Sequence, residues 1–261
     1  MIKLFNTNFK MKRNLLKITI FPLLLLLVFG CSSESNGYYP YSNGVNNPVP
    51  VVIPQTQAKE YNYLALGDSY TIGQSVCETC RFPEQLKKSL GNLNPINSYS
   101  LKIIAQTGWT TTNLISAINN QNPAPNYDLV TLLIGVNNQY QNRSFALYEV
   151  EFPELVNKAI ILGKGDKSNV IVVSIPDYAY TPYGQQSGNQ STISTQIDNY
   201  NAFAKNYCAN NSIEFVTITD VTRQGLLDPT LVAQDGLHPS EKAYSLFVER
   251  ILPKAITALQ N

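Results

Sequence analysis

Short apolar stretches alternate with longer segments of helical periodicity from residue 59 onward. The short stretches are rich in Val, Ile, Leu or Tyr, a composition typical of β-strands, and they cover 61–66, 99–105, 129–134, 169–175 and 214–218. The third and fourth are almost continuously apolar, as strands buried on both faces are. The pattern therefore predicts five strands, two of them deep inside the protein.

Between and after these strands the apolar residues recur at helical spacing. The predicted helices cover 83–90, 110–119, 145–162, 191–210 and 240–259. Alternating strands and helices predict an α/β fold with a parallel sheet, right-handed crossovers and helices on both faces. Because neither an internal repeat nor a domain-sized linker follows residue 58, we expect one domain over 59–261.

The first thirty residues have the pattern of an export signal. Basic residues lead into the apolar run 18–30, which has thirteen residues and includes Pro22. A membrane-spanning helix needs about 20 apolar residues, so this run predicts a secretory signal over 1–30 instead. Gly30-Cys31 resembles a bacterial lipobox, in which Cys31 becomes the lipidated N-terminus. The alternative is an ordinary cleaved signal with an incidental cysteine.

Residues 31–58 are mainly Ser, Asn, Gly, Pro and Tyr, with almost no charge. Their prolines prevent helix formation, so the segment is expected to be a disordered tether between a membrane and the domain. An ordered arm, packed through the apolar residues 51–53, is the alternative. Together with the lipobox, this predicts an exported protein that is lipid-anchored in the bacterial cell envelope, in the periplasm or at the outer-membrane surface.

Composition and charge narrow the classes of partner. Apolar residues make up 44% of the chain and charged residues only 14%. Residues 32–261 carry 14 basic and 18 acidic side chains, a net charge of −4, so the domain lacks the basic surface that nucleic-acid binding requires. We expect a monomer without a metal or a cofactor, since the single histidine disfavours the usual metal centres.

Candidate catalytic residues follow the predicted strands, where ligands bind in such folds. Ser69 lies in the tight turn after the first strand, and a serine nucleophile needs a base. His238 is the only histidine in the chain, and Asp235, three residues earlier, can accept a hydrogen bond from its imidazole. Read separately, Ser69 could be a helix cap and His238 a structural residue before the last helix.

Two further loops could supply hydrogen-bond donors to an oxyanion. Gly108 follows the second strand and Asn137 follows the third. Acyl transfer needs two or three donors fixed where the negative charge develops, and a glycine N–H or an asparagine amide suits that task. Each loop could equally be an ordinary turn.

Taken in order, Gly67-Asp-Ser69, Gly108, Gly135-x-Asn137 and Asp235-x-x-His238 resemble the four blocks of the SGNH/GDSL hydrolases, over residues 63 to about 250. The resemblance implies that Ser69 is the nucleophile, His238 the base and Asp235 the acid that orients it. It also implies an oxyanion hole made by the N–H groups of Ser69 and Gly108 and the amide of Asn137. The implied fold is a flavodoxin-like three-layer α/β/α sandwich with a five-stranded parallel sheet.

The sequence departs from the family pattern at two positions. Asn138 stands where an aspartate is usual, so a neighbouring contact could weaken while Asn137 keeps its donor. Tyr70 stands where leucine is commoner, and this puts little in doubt.

Three cysteines lie beyond Cys31. Cys77 and Cys80 come shortly after the nucleophile turn, where a disulfide could stiffen the mouth of the site. A thioredoxin-like redox pair is the alternative for this spacing. Cys208 lies near the end of a predicted helix and is expected to be a buried free thiol.

An aromatic loop over 176–184 follows the fourth strand. Tyr178, Tyr180 and Tyr183, together with Trp109, could form a substrate wall for a sugar ring or an acyl chain. The alternative is that these rings only pack the loop onto the domain.

The sequence therefore predicts a serine esterase that acts through an acyl-enzyme. Its expected substrates are acetylated carbohydrates or short-acyl and lysophospholipid esters, with a small preference for carbohydrate. A catalytically degenerate glycan-binding lipoprotein and a redox lipoprotein using Cys77 and Cys80 are the rival hypotheses.

Overall fold

The computed structural model describes residues 57–260. The predicted signal over 1–30, the lipidation site Cys31 and all but the last two residues of the predicted tether lie outside these described residues. Between residues 57 and 260, no helix is both long enough and apolar enough to cross a bilayer.

Five strands of the described chain form one sheet. They are β1 (Glu60–Gly67), β2 (Ser98–Ala105), β3 (Leu129–Leu133), β4 (Val170–Val173) and β5 (Glu214–Val216). Each pairs in parallel with its neighbours in the order β2-β1-β3-β4-β5, which is the flavodoxin-like order. The predicted five-stranded parallel sheet is confirmed.

Five longer α-helices and four single-turn helices connect the strands. They are α1 (Ser69–Ile72), α2 (Phe82–Leu93), α3 (Thr111–Gln121), α4 (Val136–Tyr140), α5 (Phe145–Leu162), α6 (Pro182–Gln185), α7 (Gln190–Asn211), α8 (Thr219–Thr222) and α9 (Glu241–Ala258). Helices α2 and α9 pack together, whereas α5 contacts both α3 and α7. These two groups cover the two faces of the sheet, so the predicted three-layer sandwich is confirmed.

The burial of the strands explains their composition. All residues of β3 and β4 are buried, because helices cover both faces of these central strands. Strand β2 lies at an edge of the sheet and is exposed or half-buried along most of its length. Continuous apolar sequence therefore marks the centre of the sheet, as the pattern indicated.

The four single-turn helices α1, α4, α6 and α8 were not predicted, because four or five residues are too few to show helical periodicity. Strand β4 also ends earlier than predicted, at Val173 instead of residue 175. Beyond it the Ser174 hydroxyl accepts hydrogen bonds from the N–H groups of Ile218 and Thr219. A side chain therefore replaces the backbone carbonyl that would accept them in a continued sheet.

The register of the sheet brings three strand ends level. Gly67, the last residue of β1, pairs with Ala105 at the end of β2 and with Leu133 at the end of β3. The chain leaves β1 and β3 in different directions along the sheet, and in open α/β sheets such a switch point forms the ligand-binding crevice. The loops that carry Ser69, Gly108 and Asn137 all begin there.

Candidate active site

The turn after β1 places Ser69 at the base of this crevice. Gly67 has no room for a side chain, since a Cβ would collide with the Thr71 side chain and the Leu133 carbonyl oxygen. Asp68 then caps α1 through a 3.0 Å hydrogen bond from the Tyr70 N–H, and Ser69 is the first residue of the helix. The Ser69 side chain is thus held on a short rigid turn, with only 3% of the residue exposed.

Asp235 and His238 form a hydrogen-bonded pair in the loop before α9. His238 Nδ1 lies 2.6 Å from Asp235 Oδ2. The other carboxylate oxygen, Oδ1, accepts the backbone N–H groups of Leu237 and His238, each at 2.9 Å. Because an ionised carboxylate only accepts hydrogen bonds, Nδ1 carries the imidazole proton and Nε2 remains the basic nitrogen.

A fourth donor to Asp235 comes from the loop after α1. Ser75 Oγ donates to Asp235 Oδ2 at 2.5 Å. Partial burial acts to raise the pKa of Asp235, but the hydrogen bonds from Ser75, His238 and Leu237 outweigh it and lower the pKa to about 2. Asp235 is therefore ionised at neutral pH. Sequence reasoning missed Ser75, which lies in a loop without a motif.

The nucleophile turn and the histidine loop meet in the folded protein. The ring of Tyr70, the residue after Ser69, lies 5.2 Å from the His238 ring between centroids. Leu237, the residue before His238, lines the same cleft as Ser69. The loops that carry Ser69 and His238 are therefore neighbours, although the two residues lie 169 positions apart in the sequence.

The three predicted oxyanion donors share one cleft of about 190 Å³. Gly108 adopts a left-handed backbone (φ +84°), and Asn137 is the second residue of α4. The cleft is lined by Ser69, Tyr70, Thr107, Gly108, Val136, Asn137, Tyr140, Tyr178 and Leu237. Asn137 Nδ2 donates to the Trp109 carbonyl at 3.0 Å, which fixes the plane of the amide.

Asp68 lies beneath these donors and is fully buried. Its Oδ2 accepts a long hydrogen bond of 3.5 Å from Asn137 Nδ2, while its Oδ1 accepts the Tyr70 N–H. Burial raises the pKa of Asp68 to about 7, against the lowering effect of these hydrogen bonds. The carboxyl group thus titrates near neutral pH while in contact with a candidate oxyanion donor.

Asn138 faces away from the cleft. Its Oδ1 accepts the Thr111 N–H at 3.0 Å, and its Nδ2 donates to Thr111 Oγ1 at 2.6 Å. An ionised aspartate could accept the first bond but could not donate the second. The asparagine at this position therefore fixes the start of α3 with its neutral amide, and the departure from the family pattern does not remove Asn137 from the site.

The aromatic residues around the cleft differ from the predicted wall. Tyr178 lines the cleft, but Trp109, Tyr180 and Tyr183 do not. The Trp109 side chain packs on the hydrophobic core, and Tyr180, two residues along a 3₁₀ turn from Tyr178, lies under Arg223 instead.

The second aromatic residue of the wall is Tyr140, which no sequence pattern marks because it ends the single-turn helix α4. Tyr140 lines the cleft and packs edge-on against Tyr178, with ring centroids 5.8 Å apart. Tyr183 lies behind it, with the two hydroxyl oxygens 2.5 Å apart. The wall is therefore built by Tyr140 and Tyr178, and Tyr183 supports it.

Cys77 and Cys80 form a disulfide in the structure, and Cys208 is a buried free thiol. The disulfide closes a short loop that follows Ser75, so it restrains the segment that donates to Asp235. Among residues 57–260 there is no group of His, Cys, Asp or Glu side chains that could hold a metal ion.

Comparisons with known proteins identify the family of the chain and proteins that share its fold. The sequence model of the GDSL-like lipase/acylhydrolase family matches residues 65–246. A search of curated proteins gave no match.

Solved structures share the fold at low sequence identity. A lipolytic G-D-S-L family protein from Veillonella parvula is 19% identical, with a TM-score of 0.58 over 75% of this chain and 97% of its own. An acetylxylan esterase from Geobacillus stearothermophilus is 18% identical, with a TM-score of 0.59 over 76% of this chain and 95% of its own. An α/β hydrolase from the metagenome of Lake Arreo is also 18% identical, with a TM-score of 0.55 over 78% and 98%.

Proposed function

The chain belongs to the GDSL-like lipase/acylhydrolase family and is an SGNH-type serine hydrolase acting on esters, and we propose that Ser69, His238 and Asp235 are its catalytic triad. The observation that carries the proposal is the 2.6 Å pair of His238 Nδ1 and Asp235 Oδ2, which leaves Nε2 as the base beside the nucleophile turn. The cleft with Ser69 at its base gives an ester carbonyl a place to bind.

The proposed reaction has two halves. Ser69 Oγ attacks the ester carbonyl while His238 Nε2 takes the hydroxyl proton, and the C–O bond of the ester breaks as His238 returns that proton to the leaving alkoxide. Water then attacks the acyl-Ser69 ester with His238 again as the base, and the acid and free Ser69 are released. Asp235 stays ionised throughout and stabilises the imidazolium that forms twice in each cycle.

In both halves the carbonyl oxygen becomes negatively charged. The N–H groups of Ser69 and Gly108 and the amide of Asn137 are proposed to donate to it, since all three residues line the cleft. One N–H of Asn137 Nδ2 donates to the Trp109 carbonyl at 3.0 Å and holds the amide plane, and the other, whose contact with Asp68 Oδ2 is long at 3.5 Å, is proposed to turn to the oxyanion.

We propose a short acyl group, foremost acetate on a carbohydrate, as the substrate class. The cleft of about 190 Å³ is smaller than the roughly 300–1,000 Å³ of drug-sized ligand sites, so it encloses a short acyl group, and most of a long chain would lie outside it. Tyr140 and Tyr178 offer two ring surfaces at its edge, against which a sugar could pack. The fold is shared with an acetylxylan esterase, which is consistent with this choice.

The experiment that tests this function is a chain-length series of p-nitrophenyl esters, followed by acetylated xylan. We expect kcat/KM to be highest for acetate and to fall steeply beyond butyrate, with all turnover lost in Ser69→Ala. A preference for octanoate or longer would instead favour the lysophospholipid hypothesis. Hydrolysis no faster than that of Ser69→Ala would favour the glycan-binding hypothesis.

We further propose that the protein acts as a monomer tethered by a lipid on Cys31 in the bacterial cell envelope. The basic and apolar residues before Cys31 and the proline-rich segment after it support this location. Metabolic labelling with a palmitate analogue should mark the wild type and fail to mark Cys31→Ala. Equal labelling of the two would overturn the proposed lipidation site.

A further inference from the structure

A second concavity, of about 380 Å³, lies beside α4 and has no role in the proposed reaction. We call it the amide pocket, because four amide side chains line it. They are Gln139 and Asn142 from α4 and the residues after it, and Gln196 and Asn199 from α7. Phe145 and Tyr200 add aromatic surface, with ring centroids 4.9 Å apart in an edge-to-face arrangement.

The amide pocket and the catalytic cleft share the helix α4. Asn137 and Tyr140 line the cleft, whereas Gln139 lines the amide pocket. Gln139 lies between Asn137 and Tyr140 in this five-residue helix, and a helix with its side chains is about 10–12 Å across, so the two sites flank one short helix. A polymeric substrate with one unit at Ser69 could therefore reach the amide pocket with a neighbouring unit.

Gln139 connects the two sites directly. It is buried, and its Nε2 donates to Gln196 Oε1 at 2.7 Å. Its Oε1 is buried and accepts no well-formed hydrogen bond from the described residues, although the side chain of Tyr178 is near. Gln139 therefore lines the amide pocket and lies beside Tyr178, which lines the cleft, so this one side chain links the two sites.

The remaining groups of the lining suit a sugar. The side chains of Asn142 and Asn199 form no hydrogen bonds with other side chains or backbone groups between residues 57 and 260, so their donors and acceptors are available to ligand hydroxyls. Amide groups together with aromatic surface match a ring that is polar at its rim and less polar on its faces.

Arg143 gives the amide pocket its charge. It is exposed, it is the only charged residue of the lining, and it forms no ion pair within the described residues. A guanidinium group recognises a carboxylate through two parallel hydrogen bonds. The chemistry of the pocket therefore favours an acidic sugar over a neutral one.

We propose that the amide pocket is a subsite for a carboxylate-bearing sugar unit of the same glycan whose ester is cleaved at Ser69. The proposal rests on the proposed function, because it assigns a neighbouring unit of that substrate. It predicts an acylated acidic polysaccharide as the preferred polymer, and it assigns recognition of the carboxylate to Arg143.

Binding without turnover separates this subsite from catalysis. We would titrate full-length Ser69→Ala with oligogalacturonides and, in parallel, with neutral xylo-oligosaccharides of equal length by calorimetry. The acidic oligomer should bind at least tenfold more tightly. Adding Arg143→Gln should remove that difference, and adding Asn199→Ala should weaken both ligands. The matched control is Lys205→Gln, which removes one positive charge from the exposed side of α7 outside the pocket.

Equal affinity for the two oligomers, or an equal loss in Lys205→Gln and Arg143→Gln, would overturn the assignment of Arg143. No binding of either oligomer would overturn the subsite itself. Hydrolysis of p-nitrophenyl acetate by the wild type is measured in parallel. If the wild type does not hydrolyse this ester, the proposed triad is wrong, whereas the binding experiment still tests the subsite.

Discussion

Two aspartates at the site, Asp68 after β1 and Asp235 before α9, have opposite acid strengths. Asp68 is fully buried with two modest hydrogen bonds, and its pKa is raised to about 7. Asp235 is partly exposed and accepts four hydrogen bonds, and its pKa is lowered to about 2. Two residues of the same type thus differ in charge: Asp235 is ionised at neutral pH, whereas Asp68 is partly protonated there.

The comparison shows which carboxylate can serve the histidine. Stabilising an imidazolium needs a group that stays charged at every working pH, and only Asp235 meets this condition. Asp68 instead shapes the turn at Ser69 and contacts the Asn137 amide, where a permanent charge would oppose the developing oxyanion.

The largest expected effect belongs to Asp235→Asn. The variant would leave His238 in the wrong tautomer, so kcat should fall by roughly 10⁴-fold at neutral pH. Steady-state kinetics with p-nitrophenyl acetate would measure it. Asp228→Asn is the matched control, since Asp228 pairs with Lys242 at the surface and should tolerate the change. A loss of less than tenfold in Asp235→Asn would show that another group orients His238.

Asn137→Ala is expected to lower kcat by roughly 10²- to 10³-fold, with a small change in KM, because it removes one oxyanion donor. Its neighbour provides the contrast. Asn138→Ala should lower the melting temperature instead, because the buried N–H and hydroxyl groups of Thr111 would lose their hydrogen bonds to Asn138. If Asn138→Ala lowers kcat as much as Asn137→Ala does, Asn137 is not the specific oxyanion donor.

The pH dependence of stability should differ between the two aspartates. The folded pKa of Asp68, about 7, exceeds its ordinary 3.8, so the folded state binds the proton more tightly and the free energy of unfolding should fall from about pH 4 to about pH 7. Asp68→Asn should flatten this window and stabilise the protein above pH 7.

Asp235 behaves in the opposite sense. Its pKa of about 2 lies below the ordinary 3.8, so the stability it adds is lost as the pH falls from about 4 to about 2. Asp235→Asn should flatten only this acid window. Urea unfolding of both variants from pH 2 to 8 would measure these changes. If both substitutions altered stability over the same pH range, the two aspartates would not differ in environment.

The smallest effect is expected for Ser75→Ala. It removes one of the four donors to Asp235, and a hydrogen bond to a charged group contributes about 1.5–3 kcal/mol. Only part of this free energy should stabilise the transition state relative to the bound substrate, so we expect kcat to fall by roughly tenfold or less. The acid window of stability should also move to higher pH. Unchanged kinetics and an unchanged window would show that the other three donors are sufficient.

The catalytic residues that follow the strands could be predicted from the sequence more accurately than the aromatic wall of the cleft. Ser69 and Asn137 could be located because buried parallel strands have a continuous apolar signal, and the chain beyond each strand must enter the crevice. Gly108 follows the edge strand β2, which is only partly apolar but is rich in Tyr, Leu and Ile. The positions of the strand ends are thus encoded in local composition, whereas the flavodoxin-like strand order was implied by the family resemblance.

The cleft wall was harder to predict because its side-chain directions depend on single-turn elements. Tyr140 ends a five-residue helix without detectable periodicity, and Tyr180 rotates away from Tyr178 within one 3₁₀ turn. Ser75 contacts Asp235 across 160 positions of sequence, from a backbone with φ +67°. No local pattern reports such a contact, so tertiary structure is needed to find it.

Activation of Ser69 by His238 can be measured with a fluorophosphonate probe followed by peptide mapping. We expect a single adduct, on Ser69, formed by the folded full-length protein and lost in His238→Ala and after denaturation. No adduct on the folded protein, an adduct on another serine, or undiminished labelling of His238→Ala would contradict it.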